Sequence, residues 1–230
     1  MLKKTLCALF LLLYLSTSSY AQSKVKAKYN YLLYLPKSYT KGQKQYPLVI
    51  YLHGGSQKGN DLNKLKGYGL PYVVDKGHKF KFIIASPQCP ANEYWTTEDW
   101  FDSLYHELTT KYRIDINRVY LTGISMGGYG TYTVAMDYPE KLAAIVPLCG
   151  GINDSDTSRL CNIKHIPIWT FHGTADDKIS ITETERVVKG LKPCGGNIKF
   201  TRLQNEGHGI EYLYKTKPQI YDWLLKHKKR

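Results

Sequence analysis

Most of the features that mark special protein classes are missing from this 230-residue chain. Beyond its first 20 residues it has no long apolar run, and it has no internal repeat, no low-complexity segment and no C-x-x-C pair among its five cysteines. These absences argue against a membrane-spanning bundle, a repeat array, a disordered chain and a zinc or thioredoxin-like cysteine site. The remaining composition is that of an ordinary globular protein, with 43% hydrophobic and 22% charged residues. We expect one domain of about 200 residues.

The N-terminus carries the one apolar run that needs an explanation. Lys3 and Lys4 precede a stretch of about ten apolar residues, which is followed by small residues before Ala21. A membrane-spanning helix needs about 20 apolar residues, so this run has the layout of an export signal instead. We expect a signal peptide at residues 1–21 and a single domain at residues 22–230, which is secreted or periplasmic and has no membrane anchor.

Export would place the four remaining cysteines in an oxidising compartment, where up to two disulfides can form. Cys149 and Cys161 flank one short loop. A Cys149–Cys161 bridge is therefore the pairing that we expect, with free buried thiols as the alternative. The four cysteines are Cys89, Cys149, Cys161 and Cys194.

Acidic residues are scarce: 19 Asp and Glu stand against 32 Lys and Arg, which gives a net charge of +13. Such a field attracts polyanions. The basic residues are scattered, however, and the dense cluster at 226–230 is typical of a solvated helix end. Aromatic and basic residues are not interleaved as in single-strand binders. We therefore expect no nucleic-acid partner, and the oligomeric state stays open.

Short β-branched and aromatic runs alternate with helical patterns along the chain, which predicts an α/β fold with a mostly parallel sheet and helices on both faces. The runs at 48–52 and 82–85 are apolar throughout, as expected of central strands covered on both faces. The predicted strands are 29–35, 47–52, 81–86, 118–122, 143–148, 166–171 and 198–203, all taken as parallel, and the predicted helices are 97–112, 126–137, 181–191 and 218–227.

A G-x-S-x-G segment centred on Ser125 lies between a predicted strand and a predicted helix. A serine on such a sharp turn has a strained backbone and needs minimal side chains at the flanking positions, which Gly123 and Gly127 supply. The turn would lift the hydroxyl clear of the sheet. The G-x-S-x-G pattern alone is a weak signal. Its position between a predicted strand and a predicted helix is what indicates a nucleophile.

Backbone N–H groups near this serine are candidates for an oxyanion hole. The N–H of Met126 lies at the start of a helix, where it has no helical partner. A second donor is expected from Gly55 or Ser56, in the glycine-rich turn that follows the strand ending at Leu52. A structural turn without function is the alternative for that segment.

A base and a carboxylate follow two later strands. Asp176 comes after the strand 166–171, and His208 comes after the strand 198–203. Because the carboxyl ends of parallel strands meet at one rim, Ser125, Asp176 and His208 should converge there. Asp177 competes with Asp176 for the acidic role. His53 and His172 are interpreted as structural supports that hydrogen-bond nearby loops.

On these residues the chain resembles exported α/β-hydrolases of the esterase group, related to polyhydroxyalkanoate depolymerases, feruloyl esterases and acetyl-xylan esterases, and to bacterial proteins described as predicted peptidases or phospholipase/carboxylesterase-like. The resemblance implies catalytic roles for Ser125, Asp176 and His208. The chain departs from the family pattern at Ile179-Ser180, where relatives often have Val-Pro. This difference weakens the assignment of the acidic role to Asp176 over Asp177. The similar segments are 34–36, 52–55, 86–90, 118–123, 125–130, 171–173 and 221–225.

The substrate pocket can be outlined from loop lengths. Only residues 150–165 lie where this fold usually inserts a lid, and such a segment is too short for a lid domain. We expect an open site suited to an ester on a large polymer. Gln88, Tyr94 and Trp95 are candidate lining residues that would stack on or bind a sugar or aryl group, with core packing as the alternative.

The sequence therefore predicts a serine carboxylesterase that needs no cofactor or metal and works through an acyl-enzyme on Ser125. The resemblance implies that its substrates are acetyl or feruloyl esters of plant polysaccharides. Two other functions remain open. One is a peptidase of the prolyl-oligopeptidase kind, and the other is a catalytically silent binding module.

Overall fold

The computed structural model describes residues 26–39, 42–97 and 99–229. The expected signal peptide at residues 1–21 lies outside the described residues. Seven strands form one sheet in the order β1-β3-β2-β4-β5-β6-β7. The strands are β1 (Tyr31–Tyr34), β2 (Tyr46–Leu52), β3 (Ile83–Pro87), β4 (Ile114–Ile124), β5 (Ala144–Leu148), β6 (Ile168–Gly173) and β7 (Ile198–Leu203).

The expected mostly parallel sheet is confirmed, since every neighbouring pair from β3 to β7 is parallel. The expectation that all seven strands are parallel is wrong for β1, which pairs antiparallel with β3. Only residues 35–45 separate β1 from β2. A parallel crossover needs a dozen or more residues, usually with a helix, whereas an antiparallel β1 ends at the edge where β2 begins.

Six α-helices and several 3-10 turns connect the strands among the described residues. The four predicted helices are all present, with ends that differ by up to three residues. Two short helices, at 69–75 and 213–216, were not predicted from the sequence. The helices are α1 (Gly69–Asp75), α2 (Trp100–Lys111), α3 (Met126–Asp137), α4 (Thr182–Leu191), α5 (Leu213–Thr216) and α6 (Gln219–Leu225).

Both faces of the sheet are covered, and β2 shows how. All seven of its residues are buried. Leu48, Ile50 and Leu52 belong to one hydrophobic cluster together with side chains of α2, α3 and α4. Val49 and Tyr51 point to the other face, into a cluster with side chains of α1, α5 and α6. Because successive strand residues face opposite sides, a strand buried on both faces is apolar throughout, as the sequence indicated.

The single disulfide among the described residues joins Cys161 to Cys194, so the expected Cys149–Cys161 bridge is wrong. Cys161 lies on the 3-10 helix Asp154–Ile163, and Cys194 lies just after α4. These two elements pack together, with Gly190 of α4 against Leu160. Cys149, although nearer in sequence, is buried at the end of β5 with its thiol toward the carbonyl of His208, and Cys89 is also a buried free thiol.

No helix among the described residues is both long enough and apolar enough to cross a membrane.

Candidate active site

Ser125 occupies the sharp turn between β4 and α3. Its backbone angles are φ 60° and ψ −121°, a conformation that a residue with a side chain rarely adopts. The Ser125 N–H donates a hydrogen bond to the carbonyl of Leu148 at the end of β5, over 2.9 Å. The strained turn is therefore tied to the neighbouring strand, and strain of this kind is concentrated at functional sites.

The two glycines that flank the serine are required by close backbone packing. A Cβ on Gly123 would lie 2.6 Å from the carbonyl carbon of Gly127. A Cβ on Gly127 would lie 2.6 Å from the carbonyl carbon of Leu52 and 2.8 Å from the carbonyl oxygen of His53. Neither position can hold a larger residue unless backbone segments move apart. The turn therefore has room only for the G-x-S-x-G pattern.

Two loops bring a carboxylate and an imidazole to the serine. The loop after β6 carries Asp176, and the loop after β7 carries His208. Backbone contact joins the two loops, since the Ala175 N–H donates to the Glu206 carbonyl over 2.9 Å and a Cβ on Gly173 would lie 2.5 Å from the carbonyl oxygen of Gly207. The spacing between the loops is thus fixed by main-chain packing.

The three side chains form a hydrogen-bonded row. His208 Nδ1 lies 2.7 Å from Asp176 Oδ2, and His208 Nε2 lies 2.9 Å from Ser125 Oγ. The Asp176 side chain is fully buried, whereas the His208 side chain is 22% exposed. An ionised carboxylate only accepts hydrogen bonds, so Nδ1 carries the proton and the Nε2 lone pair faces the hydroxyl. This arrangement can accept a proton from the serine.

Asp176 is held in the ionised state by several donors. Burial alone would raise the pKa of its carboxyl, but hydrogen bonds from the Ile179 N–H, His208 and the Lys178 N–H bring that pKa below its usual value. Both backbone donors lie 2.9 Å from Oδ1. The competing candidate, Asp177, has a side chain that is 71% exposed and pairs with Lys178. Of the two aspartates, Asp176 is the one that contacts His208.

Candidate oxyanion donors border the serine from two sides. Met126 is the first residue of α3, so its N–H has no partner within the helix. Gly55 and Ser56 begin the 3-10 turn Gly55–Gln57, directly after Gly54. A Cβ on Gly54 would lie 3.7 Å from Ser125 Cβ, which shows how closely this turn approaches Ser125.

His53 supports the turn that carries these donors. Its Nε2 accepts the Cys89 N–H over 3.0 Å, so its proton is on Nδ1, which donates to the Gly54 carbonyl over 2.6 Å. Burial lowers the pKa of His53 to about 4, even though the bond to Gly54 acts in the opposite direction. The His53 ring is therefore neutral at physiological pH and supports the turn through its hydrogen bonds.

The three candidate lining residues have different surroundings. Trp95 is 1% exposed and donates its indole N–H to the His53 carbonyl over 2.9 Å. Gln88 is buried and donates to the carbonyls of Gln57 and Asp61. The packing alternative that the sequence left open describes both of them. Tyr94, in contrast, is 60% exposed, and the ammonium of Lys58 lies 4.1 Å from its ring centre.

Gln57 is a polar residue near the serine that the sequence did not single out. Its side chain is buried, its Nε2 donates to Ser56 Oγ over 2.6 Å, and its Oε1 has no hydrogen-bond partner. That oxygen would lie 3.7 Å from a Cβ on Gly54. An amide following a glycine-rich turn is ordinarily just solvated, so no sequence pattern points to Gln57.

One group of potential metal ligands exists among the described residues: Cys149, His172 and Asp176 each offer an atom within 4.8 Å of the others. The atoms are already engaged, because both oxygens of Asp176 accept hydrogen bonds and both ring nitrogens of His172 contact protein oxygens. Burial also raises the pKa of the Cys149 thiol far above its usual value, so it is not the thiolate that metals prefer. Cys149, His172 and Asp176 therefore form a hydrogen-bonded cluster.

Comparison with known proteins shows the family of this chain. A phospholipase/carboxylesterase family model matches residues 97–214, about half of the chain. A bifunctional acetylxylan esterase/xylanase from Neocallimastix patriciarum is 34% identical over 152 residues, which is 64% of this chain and 22% of the relative. Feruloyl esterase D from Neurospora crassa is 24% identical over 210 residues, which covers 77% of this chain and 67% of that protein. The crystal structure of a thermostable esterase has a TM-score of 0.69 at 30% identity, covering 86% of this chain and 59% of that one.

The sheet order and the serine turn define an α/β-hydrolase fold, as the resemblance implied. The chain belongs to the phospholipase/carboxylesterase family. It spans about a fifth of the length of the bifunctional relative.

Proposed function

We propose that this protein is a serine esterase that hydrolyses carboxylic esters through an acyl-enzyme on Ser125. The observation that carries the proposal is the row of contacts in which His208 lies 2.9 Å from the Ser125 hydroxyl and 2.7 Å from the Asp176 carboxylate. A serine is a weak nucleophile until a base takes its proton, and this row supplies a base with its ring orientation fixed.

In the proposed reaction, His208 Nε2 removes the Ser125 proton while Oγ attacks the ester carbonyl. The negative charge on the carbonyl oxygen is stabilised by the N–H of Met126 together with that of Gly55 or Ser56. His208 then protonates the leaving alcohol, and Asp176 stabilises the imidazolium in between. Water, activated by the same imidazole, attacks the acyl-enzyme and releases the acid.

Acetyl or feruloyl esters of plant polysaccharides are the proposed substrates. Two similar proteins are described as an acetylxylan esterase/xylanase and a feruloyl esterase. The segment between β5 and β6 contains a 3-10 helix of ten residues and no inserted domain, which favours access of a polymer. The exposed ring of Tyr94, beside the Lys58 ammonium, offers a surface on which a sugar or aryl ring can stack.

The alternatives are a prolyl-oligopeptidase-like peptidase and a silent binding module, and one assay panel separates them. Purified protein is given acetylated xylan, feruloylated oligosaccharide, short-acyl nitrophenyl esters and proline-containing peptides, with Ser125→Ala as the matched control. We expect ester hydrolysis that the Ser125→Ala variant lacks. Cleavage of the peptides alone would favour the peptidase, and binding without turnover by the wild-type chain would favour the module.

We also propose that residues 1–21 are an export signal and that residues 22–230 act as one catalytic domain. The support is the arrangement of Lys3 and Lys4 before a short apolar run. The intact mass of protein recovered from the periplasm or medium should correspond to a chain that begins at Gln22. Recovery of the uncleaved chain in the cytoplasm would contradict this.

A further inference from the structure

His172 lies directly beneath the loop that carries Asp176. It is the next-to-last residue of β6 and is completely buried. Its Nδ1 lies 2.8 Å from Thr184 Oγ1 on α4. On the other side of the ring, Nε2 lies 2.9 Å from the Ile179 carbonyl oxygen and 3.2 Å from Asp176 Oδ2. Both nitrogens of this ring therefore contact oxygen atoms.

The positions of the hydrogen atoms follow from what each oxygen can do. Thr184 Oγ1 also lies 2.6 Å from the Gly150 carbonyl, which can only accept, so the hydroxyl proton points there. Thr184 Oγ1 must then accept from the imidazole, which puts a proton on Nδ1. The oxygens that face Nε2, those of Ile179 and Asp176, can also only accept, which puts a proton on Nε2.

Either neutral form of the ring leaves two acceptors in contact with no hydrogen between them. With a proton on Nδ1 alone, the Nε2 lone pair would face a carbonyl and a carboxylate. With a proton on Nε2 alone, the Thr184 hydroxyl would have to donate its hydrogen to Nδ1. The 2.6 Å contact between Thr184 Oγ1 and the Gly150 carbonyl oxygen would then have no hydrogen between the two atoms. Buried acceptors without donors are costly, so the doubly protonated ring is the form that fits.

We infer that His172 is a buried imidazolium, a positioning residue that pairs with the same Asp176 oxygen that His208 contacts. The inference rests on the proposed function only for its effect on catalysis. Asp176 Oδ2 then accepts from two imidazoles, while Oδ1 accepts from the backbone of Lys178 and Ile179. Both oxygens of the carboxylate are thereby held before substrate arrives, as a preorganised site requires.

The other titratable groups around the ring do not replace Asp176 as its counter-ion. Cys149, at the end of β5, stays a neutral thiol because burial raises its pKa. His208 contacts the same Asp176 oxygen and is a donor to it. On α4, Glu183 pairs with Arg186 over 2.7 Å. The His172–Asp176 contact is therefore a charge pair whose two members largely neutralise each other beneath His208.

The charge pair has a measurable consequence for the reaction. In the wild-type chain, the Asp176 carboxylate that contacts His208 is also paired with the His172 cation. Loss of that cation would strengthen the attraction between Asp176 and a proton on His208. The acid limb of the kcat/KM profile should then move to higher pH by about one unit in His172→Gln. The matched control is His106→Gln, which removes an exposed histidine on α2 and should leave the limb in place.

The protonation state is measured directly by long-range 1H–15N spectra of the histidine rings in the wild-type full chain, with the His172 signals assigned through their contacts to Thr184 and Ile179. We expect both ring nitrogens to carry protons at pH 7. A neutral His172 ring at pH 7, in either tautomer, would overturn the inference even if His172→Gln does not fold, and so would an unmoved acid limb in a folded variant. An imidazolium signal in a chain without esterase activity would support the inference and contradict the proposed function.

Discussion

Gly127 lies so close to the end of β2 that a Cβ there would be 2.6 Å from the carbonyl carbon of Leu52. The atoms in the way belong to the main chain of Leu52 and His53, so no side-chain rotation can relieve the clash. This contact joins the serine turn to the turn that carries the candidate oxyanion donors. The absence of a side chain at Gly127 thus allows Ser125 and the candidate oxyanion donors to keep their relative spacing.

Gly127→Ala should consequently disturb both turns. Overpacking of this kind costs about 1–3 kcal/mol of unfolding free energy, and separation of the two turns should lower kcat as well. Urea unfolding and a nitrophenyl ester assay measure the two effects. Gly67→Ala is the control, because a Cβ at Gly67 has no atom within 4 Å. Equal stability and activity for the two variants would contradict the packing argument.

The choice between neighbouring aspartates gives a second prediction. Asp176→Asn should lower kcat by about 10⁴, because the amide no longer selects the His208 tautomer with its lone pair toward Ser125. Asp177→Asn should leave kcat essentially unchanged, since that side chain is exposed and pairs with Lys178. Steady-state kinetics on the two variants decide the matter. A reversed order of effects would assign the acidic role to Asp177.

The burial of His53 leads us to expect that the folded chain loses stability at acidic pH. Its pKa is lowered to about 4 in the folded chain, against an ordinary value near 6.5, so the unfolded chain binds the proton more tightly. The stabilisation is complete above about pH 6.5 and is lost as the pH falls toward 4. Between pH 7 and pH 5 the wild-type chain should lose about 2 kcal/mol of unfolding free energy that His53→Gln does not lose. Equal losses in urea titrations of the two chains would show that His53 does not titrate in this way.

The disulfide between Cys161 and Cys194 closes a loop with a sequence separation of 33 residues. The entropy of such a loop corresponds to about 3–4 kcal/mol of unfolding free energy. A Cys161→Ser/Cys194→Ser double variant should lose that amount, and a reducing agent should destabilise the wild-type chain but not the variant. The same response to reduction in both proteins would place the redox-sensitive bond elsewhere.

Much of this architecture was predictable because strong local signals agreed with the global fold. The apolar runs at 48–52 and 82–85 correspond to buried strands, and Ser125 lies between a strand and a helix as its flanking glycines indicated. The strand ends before Asp176 and His208 gave the rim at which these side chains meet. Such features depend on residues close together in the sequence.

Other features depend on contacts that local sequence does not encode. The helix α1 begins at Gly69, with φ +60°, and contains Pro71, both of which weaken a helical pattern. Sequence proximity favoured Cys149 as the partner of Cys161, whereas the packing of α4 on the 3-10 helix brings Cys194 there. Gln57 could not be identified from the sequence, because what distinguishes it is the burial of its side chain beside Gly54.

Labelling with a fluorophosphonate tests whether His208 activates the hydroxyl of Ser125. The reagent reacts with an activated serine, and peptide mapping by mass spectrometry locates the adduct. We expect rapid labelling of wild-type protein on Ser125, slow labelling of His208→Ala and no adduct at position 125 in Ser125→Ala, whose kcat should fall by about 10⁶. Labelling that is absent from the wild-type chain, lies on another residue or proceeds at the same rate in His208→Ala would contradict this activation.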